Sequence, residues 1–379
     1  MKSSSDFRNI LLKEDQYKAN SKAYADKLKY KKKIIIWGTG NGGDLVYKFL
    51  EEYGVINKVE FFVDNNETRW GTNKNGILVL SPNEVLQKVR GKTDMNIIVA
   101  SQYLVEIKNQ LISLGVDQDI IDIRGFGLAK DYFDFQEETP FNIIHSNFES
   151  YEKVYDYLSD QRSKDVFLGI LNSKISLDNS YLEGIADPTI EQYFDKEIIQ
   201  LTKSEVFCDC GSFDGDTLET FIKLTEGNYK KYIAIEADED TYRKLNHKII
   251  GNKYKDVETY NVACWSEKTV LKFQPSQTAG HISEMGEISV AADTLDNLVK
   301  ERVTFLKMDI EGAEEMALTG ASQIIKKYNP VLAICLYHSL EDYYKLPLLI
   351  KHLYPGYKLF VRHYTDMVDA ETVCYAIPE

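Results

Sequence analysis

Short apolar runs alternate with amphipathic stretches along most of the chain. KIIIWG (33–38) and VEFFVD (59–64) read as strands, and DLVYKFLEEYG (44–54) between them has helical spacing stopped by Gly54. GILVLSP (76–82) carries a short third strand with Pro82 as its stop. EVLQKVR reads as a helix, NIIVAS (96–101) as a strand, YLVEIKNQLISLG (103–115) as a helix and IIDIRG (120–125) as a last strand. This is a small doubly wound βα unit, about half the size of a full dinucleotide-binding domain. From 130 to 200 the pattern turns aromatic and helical (YFDFQ, YEKVYDYLSDQRSKDVFLGILNSKI, TIEQYFD). EVFCDCG then opens a second alternating series, with strands at YIAIEAD (232–238), VETYNVAC (257–264), VTFLKMD (303–309) and PVLAICLYH (330–338). GYKLFVRHY (356–364) and ETVCYAIP (371–378) close it as a hairpin-like pair.

The expected architecture is α/β in two units: a polar lead-in (1–30), a small Rossmann-like domain (31–128), a helical bridge placed to cap a site (129–200) and a larger Rossmann-like domain (201–379). The larger sheet should be parallel with an antiparallel C-terminal edge.

The 379 residues carry a net charge of -14, and the deficit is lopsided. Residues 1–139 hold 20 basic and 20 acidic side chains, so the whole excess of acid lies in the second part. That argues against a nucleic-acid duplex as its partner. The five cysteines (208, 210, 264, 335, 374) have neither disulfide nor metal spacing, and four lie in apolar strand-like runs. They read as core residues of a cytoplasmic protein; no apolar run is long enough to span a membrane.

The stretch VFCDCGSFDGDT (206–217) carries the first chemistry. If Asp209 closes a strand, Gly211 and Gly215 lie in the following turn, where glycine permits positive φ or a close backbone approach to a ligand. Asp216 is expected to cap the next helix, with Glu219 completing a capping box. Asp209, Asp214 and Asp216 crowd the helix N-terminus, which disfavours a pyrophosphate and suits a neutral or cationic ligand. Glu236, 27 residues after Asp209 and at the next strand end, is placed to take both hydroxyls of a ribose.

A denser cluster is KMDIEGAEEMALTGA (307–321). Asp309 lies at the carboxyl end of a strand, where open α/β sheets place their ligands. Glu311 follows in the turn, His338 ends the next strand and Arg362–His363 the one after. Two acids and a histidine can take a divalent ion, but nothing in their spacing demands one, and no metal is expected.

The second half resembles the FkbM family of S-adenosylmethionine-dependent methyltransferases. VFCDCGSFDGDT, YIAIEAD, TLDNLV (294–299) and above all FLKMDIEGAEEMALTGA (305–321) carry the resemblance, which spans about 200–378. It implies a class I methyltransferase fold with S-adenosyl-L-methionine as cofactor. Asp209, Gly211, Ser212 and Gly215 would hold its methionine and ribose end, Glu236 and Ala237 the ribose, and Asn261, Val262 and Ala263 the adenine. Phe213 and Asp214 stand where the family has a small residue or Asn. The first unit resembles the small Rossmann-type domain found ahead of bacterial sugar-modifying enzymes. Its Gly38, Gly40 and Gly43 form G-x-G-x-x-G, and Asp64 stands 21 residues further on, a candidate second nucleotide site.

The expected activity is therefore O-methylation of a hydroxyl on a small molecule, a saccharide or nucleotide-sugar by analogy with the first unit. His338 or Asp309 would take the proton, and Glu311, Arg362 and His363 would position the acceptor. An NAD-linked oxidoreductase using the first glycine motif, or a non-catalytic scaffold in polysaccharide assembly, are the rival readings.

Overall fold

The computed structural model describes residues 4–101, 103–276, 280–365 and 370–379. The first sheet contains β1 (Lys33–Trp37), β2 (Val59–Val63), β3 (Asn73–Lys74), β4 (Ile77–Leu80), β5 (Met95–Val99) and β6 (Ile121–Asp122) in the order β3-β4-β2-β1-β5-β6. Only β3 runs antiparallel to its neighbour. β1 is central because Ile34–Trp37 bury both faces of the strand. Two local expectations are corrected. Pro82 does not stop a strand but opens the helix Pro82–Val89: proline suits the first helical position, and Ser81 and Glu84 close a reciprocal capping box before it. The last strand is only two residues long, because the helix Gly125–Asp134 begins where it was expected to continue.

The second sheet has seven strands in the order β16-β17-β15-β14-β7-β8-β9. In chain order these are β7 (Val206–Cys210), β8 (Lys231–Ile235), β9 (Val257–Tyr260), then β10 to β13 described below, β14 (Phe305–Met308), β15 (Val331–Cys335), β16 (Tyr357–His363) and β17 (Thr372–Pro378). It is parallel except for β17, which pairs antiparallel with β15 and β16. VETYNVAC is not one strand. Asn261 turns its side-chain amide back onto the carbonyls of Glu236 and Ala237 (2.9 and 3.1 Å), and the chain leaves the sheet there. Ala263–Cys264 (β10) then joins a separate small sheet with β11 (Thr269–Gln274), β12 (His281–Ile282) and β13 (Ile288–Asp293).

Phe7 and Leu11 pack with Tyr151, Tyr155, Phe167 and Leu171 in the same core as Cys208, Leu306 and Ile334, so the helix Ser4–Ile10 and the helices of 140–176 cover one face of the larger sheet. Tyr193, Phe194, Phe207, Phe221 and Tyr232 fill the other. All five cysteines are buried and free, as packing residues should be. No helix among the described residues is long and apolar enough to cross a membrane.

Candidate active site

β7 delivers the chain into its turn with Asp209 fully buried. The Asp209 carboxylate meets the ammonium of Lys307 at 2.9 Å and accepts a hydrogen bond from the Tyr232 hydroxyl. Lys307 in turn donates to the carbonyl of Gly211 at 2.8 Å, so one buried ion pair fixes the turn from below. Burial works against the charge on Lys307, but the carboxylates of Asp209 and Asp309 outweigh it and keep the ammonium protonated. Gly211 has φ +78°, and a Cβ there would stand 1.8 Å from the carbonyl oxygen of Asp309. The chain leaving the neighbouring strand β14 approaches too closely for any side chain. Gly215, also left-handed, precedes the helix Asp216–Thr225. Asp216 lies inside that helix and makes no capping box, and Glu219 faces Lys248 instead (3.5 Å).

Above this turn lies a cavity of about 580 Å³, within the range that holds a nucleoside-sized ligand. Gly211, Phe213, Glu236, Ala237, Val262, Ala263 and Phe273 line one part. Tyr193, Lys307, Asp309, Glu311, Tyr337 and Glu371 line another, and Leu104–Glu106 of the first unit contribute to the wall. Acidic side chains dominate: Glu106, Asp216, Glu236, Asp238, Asp309, Glu311 and Glu371 stand against Lys307 as the one basic residue among the described lining residues.

Glu236 accepts the backbone N–H groups of Phe213 (3.0 Å) and Asp238 (2.8 Å). Burial pushes its carboxyl up to about 7 in spite of them. Asp309 accepts from the hydroxyls of Tyr193 (2.7 Å) and Tyr337 (3.0 Å). Burial would raise its carboxyl, yet Lys307, His338 and the two phenols lower it below the ordinary value. Glu371 takes an amide N–H of Gln192 at 2.5 Å, and burial, reinforced by Asp309, lifts its carboxyl to about 7.

Several expected residues lie elsewhere. Asp209 and Ser212 sit beneath the cavity; the Ser212 hydroxyl donates to the carbonyl of Asp209 and accepts from the N–H of Ile235. Gly215 and Asn261 shape turns without lining the cavity. His338 is behind Asp309 and lines a neighbouring cavity. Burial lowers its pKa, but Glu314, Asp309 and Glu311 raise it further, to about 9, so this imidazole is not the ready base its unperturbed value suggested. Arg362 points to the helical face, where Asp160 (2.7 Å) and Asp195 (3.2 Å) clamp it. Its neighbour His363 is fully buried, with Nδ1 2.9 Å from the Thr372 hydroxyl of the paired strand. Alternation along β16 sends neither side chain to the cavity.

In the first unit, neither cavity is lined by the turn at Gly38–Gly43. A Cβ on Gly38 would meet the Ala100 carbonyl at 2.4 Å and one on Gly43 the Gly38 carbonyl at 2.3 Å, while Gly40 faces open space. Asp64 accepts from the N–H and hydroxyl of Thr39 and from the N–H of Asn66. Close backbone packing accounts for Gly38 and Gly43 of that motif, but not for Gly40.

Among the cavity residues with no assigned role from sequence are Tyr193, Tyr337, Gln192 and Glu371. Tyr337 was within reach, since it is one residue from His338 at a strand end. Gln192 and Tyr193 lie in TIEQYFD, expected to be helical, but the structure forms only the short 3-10 turn Thr189–Glu191 there.

A parallel sheet with an antiparallel edge, a glycine turn after its central strand, an acid at the neighbouring strand end and an acidic cavity above them define a class I S-adenosylmethionine-dependent methyltransferase. Residues 209–358 match the methyltransferase FkbM domain, and residues 30–121 match the domain described as C2185-like, N-terminal. Residues 209–358 thus carry a match to the methyltransferase FkbM domain, a domain of S-adenosyl-L-methionine-dependent methyltransferases. The FkbM methyltransferase structure from Methylobacillus flagellatus is 21% identical with a TM-score of 0.64, covering 95% of this chain and 93% of that one. That likeness extends the shared fold to both units. Aeropyrum pernix fibrillarin with bound S-adenosyl-L-methionine is 12% identical over 48% of this chain and 71% of its own, at a TM-score of 0.30. UDP-D-quinovosamine 4-dehydrogenase from Vibrio fischeri is 22% identical over 23% of this chain and 75% of its own, at a TM-score of 0.19. No curated protein matches the chain.

Proposed function

We propose that the acceptor is an uncharged or amino-bearing saccharide, methylated on a hydroxyl held between Asp309 and Glu371. The observation that carries this is the cavity lining: seven carboxylates, one lysine, and phenols at Tyr193, Tyr337 and Tyr364. Such a wall favours the cationic sulfonium and repels a pyrophosphate, which weighs against a nucleotide-sugar whose phosphates enter the cavity. Phenol faces and carboxylates together suit the mixed C–H and O–H surface of a sugar ring.

In the donor half, Glu236 accepts the ribose hydroxyls, Ala237, Val262 and Ala263 flank the adenine, and Gly211 lets the backbone approach the methionine end. In the acceptor half, Asp309 is anchored by two tyrosines and orients the hydroxyl. Bound S-adenosyl-L-methionine would supply an electrophilic methyl group, whose transfer to the hydroxyl oxygen breaks the carbon–sulfur bond and would leave a neutral thioether. The proton passes to Glu371, whose raised pKa suits a base at neutral pH. Most of the acceleration comes from holding oxygen, carbon and sulfur in line. Five buried free thiols fit a cytoplasmic setting. A panel of neutral, amino and phosphorylated saccharides, scored by mass for a gain of one methyl group, tests the reading. Turnover confined to phosphorylated acceptors would overturn it.

A further inference from the structure

His338 lies behind the acceptor wall with carboxylates on several sides. Its Nδ1 is 3.1 Å from Oε1 of Glu314, which opens the helix Glu314–Gly320. Its Nε2 is 3.5 Å from Oδ1 of Asp309 and 3.6 Å from Oε2 of Glu311, both in the turn after β14. Only 8% of the side chain is exposed, and neither ring nitrogen makes a hydrogen bond. What joins the ring to these acids is therefore charge, which a neutral imidazole would not supply. Burial raises the carboxyls of Asp342 and Glu371, from the next helix and the strand beyond, and the charge on His338 works against that rise in both. In the neighbouring cavity that His338 lines, Lys130 and Lys174 are paired with Asp134 (2.7 Å) and Asp131 (3.3 Å), while Glu138 and Glu341 add only negative charge.

We propose that His338 is a positioning residue of the acceptor wall: its ring carries a standing positive charge that keeps Asp309 and Glu311 ionised toward the acceptor. Asp309 and Glu311 line the acceptor cavity and the histidine does not, so it acts through them. Ionised, each carboxylate accepts hydrogen bonds from the hydroxyls of the acceptor; protonated, it loses acceptor capacity on one oxygen. Glu311 depends on the ring more than Asp309 does. Burial opposes the charge on both, but Asp309 also has Lys307 and the phenols of Tyr193 and Tyr337. Burial and the acids Asp309 and Glu314 push Glu311 toward its protonated form, and His338 is the main charge against them, with His281 a lesser one. Glu314, the nearest acid, holds the proton on the ring. The role rests on the reading of this wall as the acceptor side, but the charge on the ring does not require turnover.

The test is a pH titration of the ring nitrogen resonances of the full chain, labelled at its six histidines, without donor or acceptor. The His338 signals, assigned by their loss in His338→Gln, should be those of an imidazolium at neutral pH and should titrate at about 9. Glu314→Gln keeps an oxygen for the N–H of Ile310 (2.8 Å) but removes one charge, so that midpoint should fall by about one unit or more. A ring already neutral at neutral pH, or a midpoint unmoved by Glu314→Gln, would overturn the proposal. With the saccharide that proves to be methylated, His338→Gln should move the acid limb of kcat/KM up by about one unit and regain rate as pH rises, a recovery that a merely structural lesion would not give. An equal loss at every pH would also overturn it. S-adenosylhomocysteine affinity, measured in parallel, should be unchanged in His338→Gln and reports on the donor reading separately. If no saccharide is methylated, the acceptor reading fails, and the resonance titration still decides the proposal.

Discussion

The chain contains the same local device twice: a strand, a glycine turn, a helix, and an acid at the end of the neighbouring strand. At Gly38–Gly43 the acid, Asp64, is spent on its own turn through Thr39 and Asn66, and the glycines press the backbone against Ala100. At Gly211–Gly215 the acid, Glu236, also accepts two backbone N–H groups, yet it borders a cavity of about 580 Å³. Glycine spacing is therefore shared by both and decides nothing. What separates them is that Glu236 lines the cavity of about 580 Å³, whereas neither that cavity nor its neighbour is lined by the turn at Gly38–Gly43 or by Asp64.

The largest effects should come from the acceptor wall. Asp309→Asn and Glu371→Gln are each expected to lower methyl transfer by about 10²–10⁴-fold, while S-adenosylhomocysteine still binds in calorimetry. Retained turnover in both would remove the proposed roles. Next come the glycines. Gly211→Ala places a Cβ against the Asp309 carbonyl at 1.8 Å with φ +78° and should cost several kcal/mol in denaturant melts, whereas Gly40→Ala, facing open space, should leave stability within about 0.5 kcal/mol.

The pH dependence separates the two raised carboxyls. Glu371 must be deprotonated to accept a proton, so the rate at saturating donor should fall as pH drops through about 7, and Glu371→Gln should remove that step. Glu236 must be ionised to take two ribose hydroxyls, so donor affinity should fall about tenfold from pH 7.5 to pH 6. Its stability effect has the opposite sign. A carboxyl raised from 4.5 to about 7 binds its proton more tightly in the folded state, so the protein loses stability as pH rises through that window. The cost is about 3 kcal/mol at pH 8 in the cofactor-free protein. Glu236→Gln should recover part of it in thermal melts at pH 8 and little at pH 4. The smallest effect is expected from Asp64→Asn, with unchanged donor affinity and turnover and only a local loosening of the Thr39 turn seen by hydrogen exchange.

The central strands β1, β5, β7, β14 and β15 were legible because their apolar runs are short, bounded and buried on both faces. The donor side was legible in part: Gly211, Glu236, Val262 and Ala263 follow from strand ends and line the cavity. What failed was the assumption that every polar strand end points to the ligand. Arg362 and His363 are adjacent on β16 and both turn to other partners, an outcome set by tertiary packing of the helix Gln161–Ser176 and the 187–195 segment. Asp209 was assigned to the cofactor because its burial and its pairing with Lys307, its register partner on the adjacent β14, cannot be read from spacing. Tyr193 was missed because TIEQYFD was expected to be helical, whereas the chain makes only a short 3-10 turn at Thr189–Glu191 and then runs irregularly to β7.

The central claim is that the donor sits over the second turn and is held by Glu236. Calorimetric titration of S-adenosylhomocysteine into the full chain, Glu236→Ala and Asp64→Ala tests it most directly. The account predicts one equivalent per chain, affinity at least tenfold weaker in Glu236→Ala, and no change in Asp64→Ala. Unchanged affinity in the first variant, or lost affinity in the second, would contradict it.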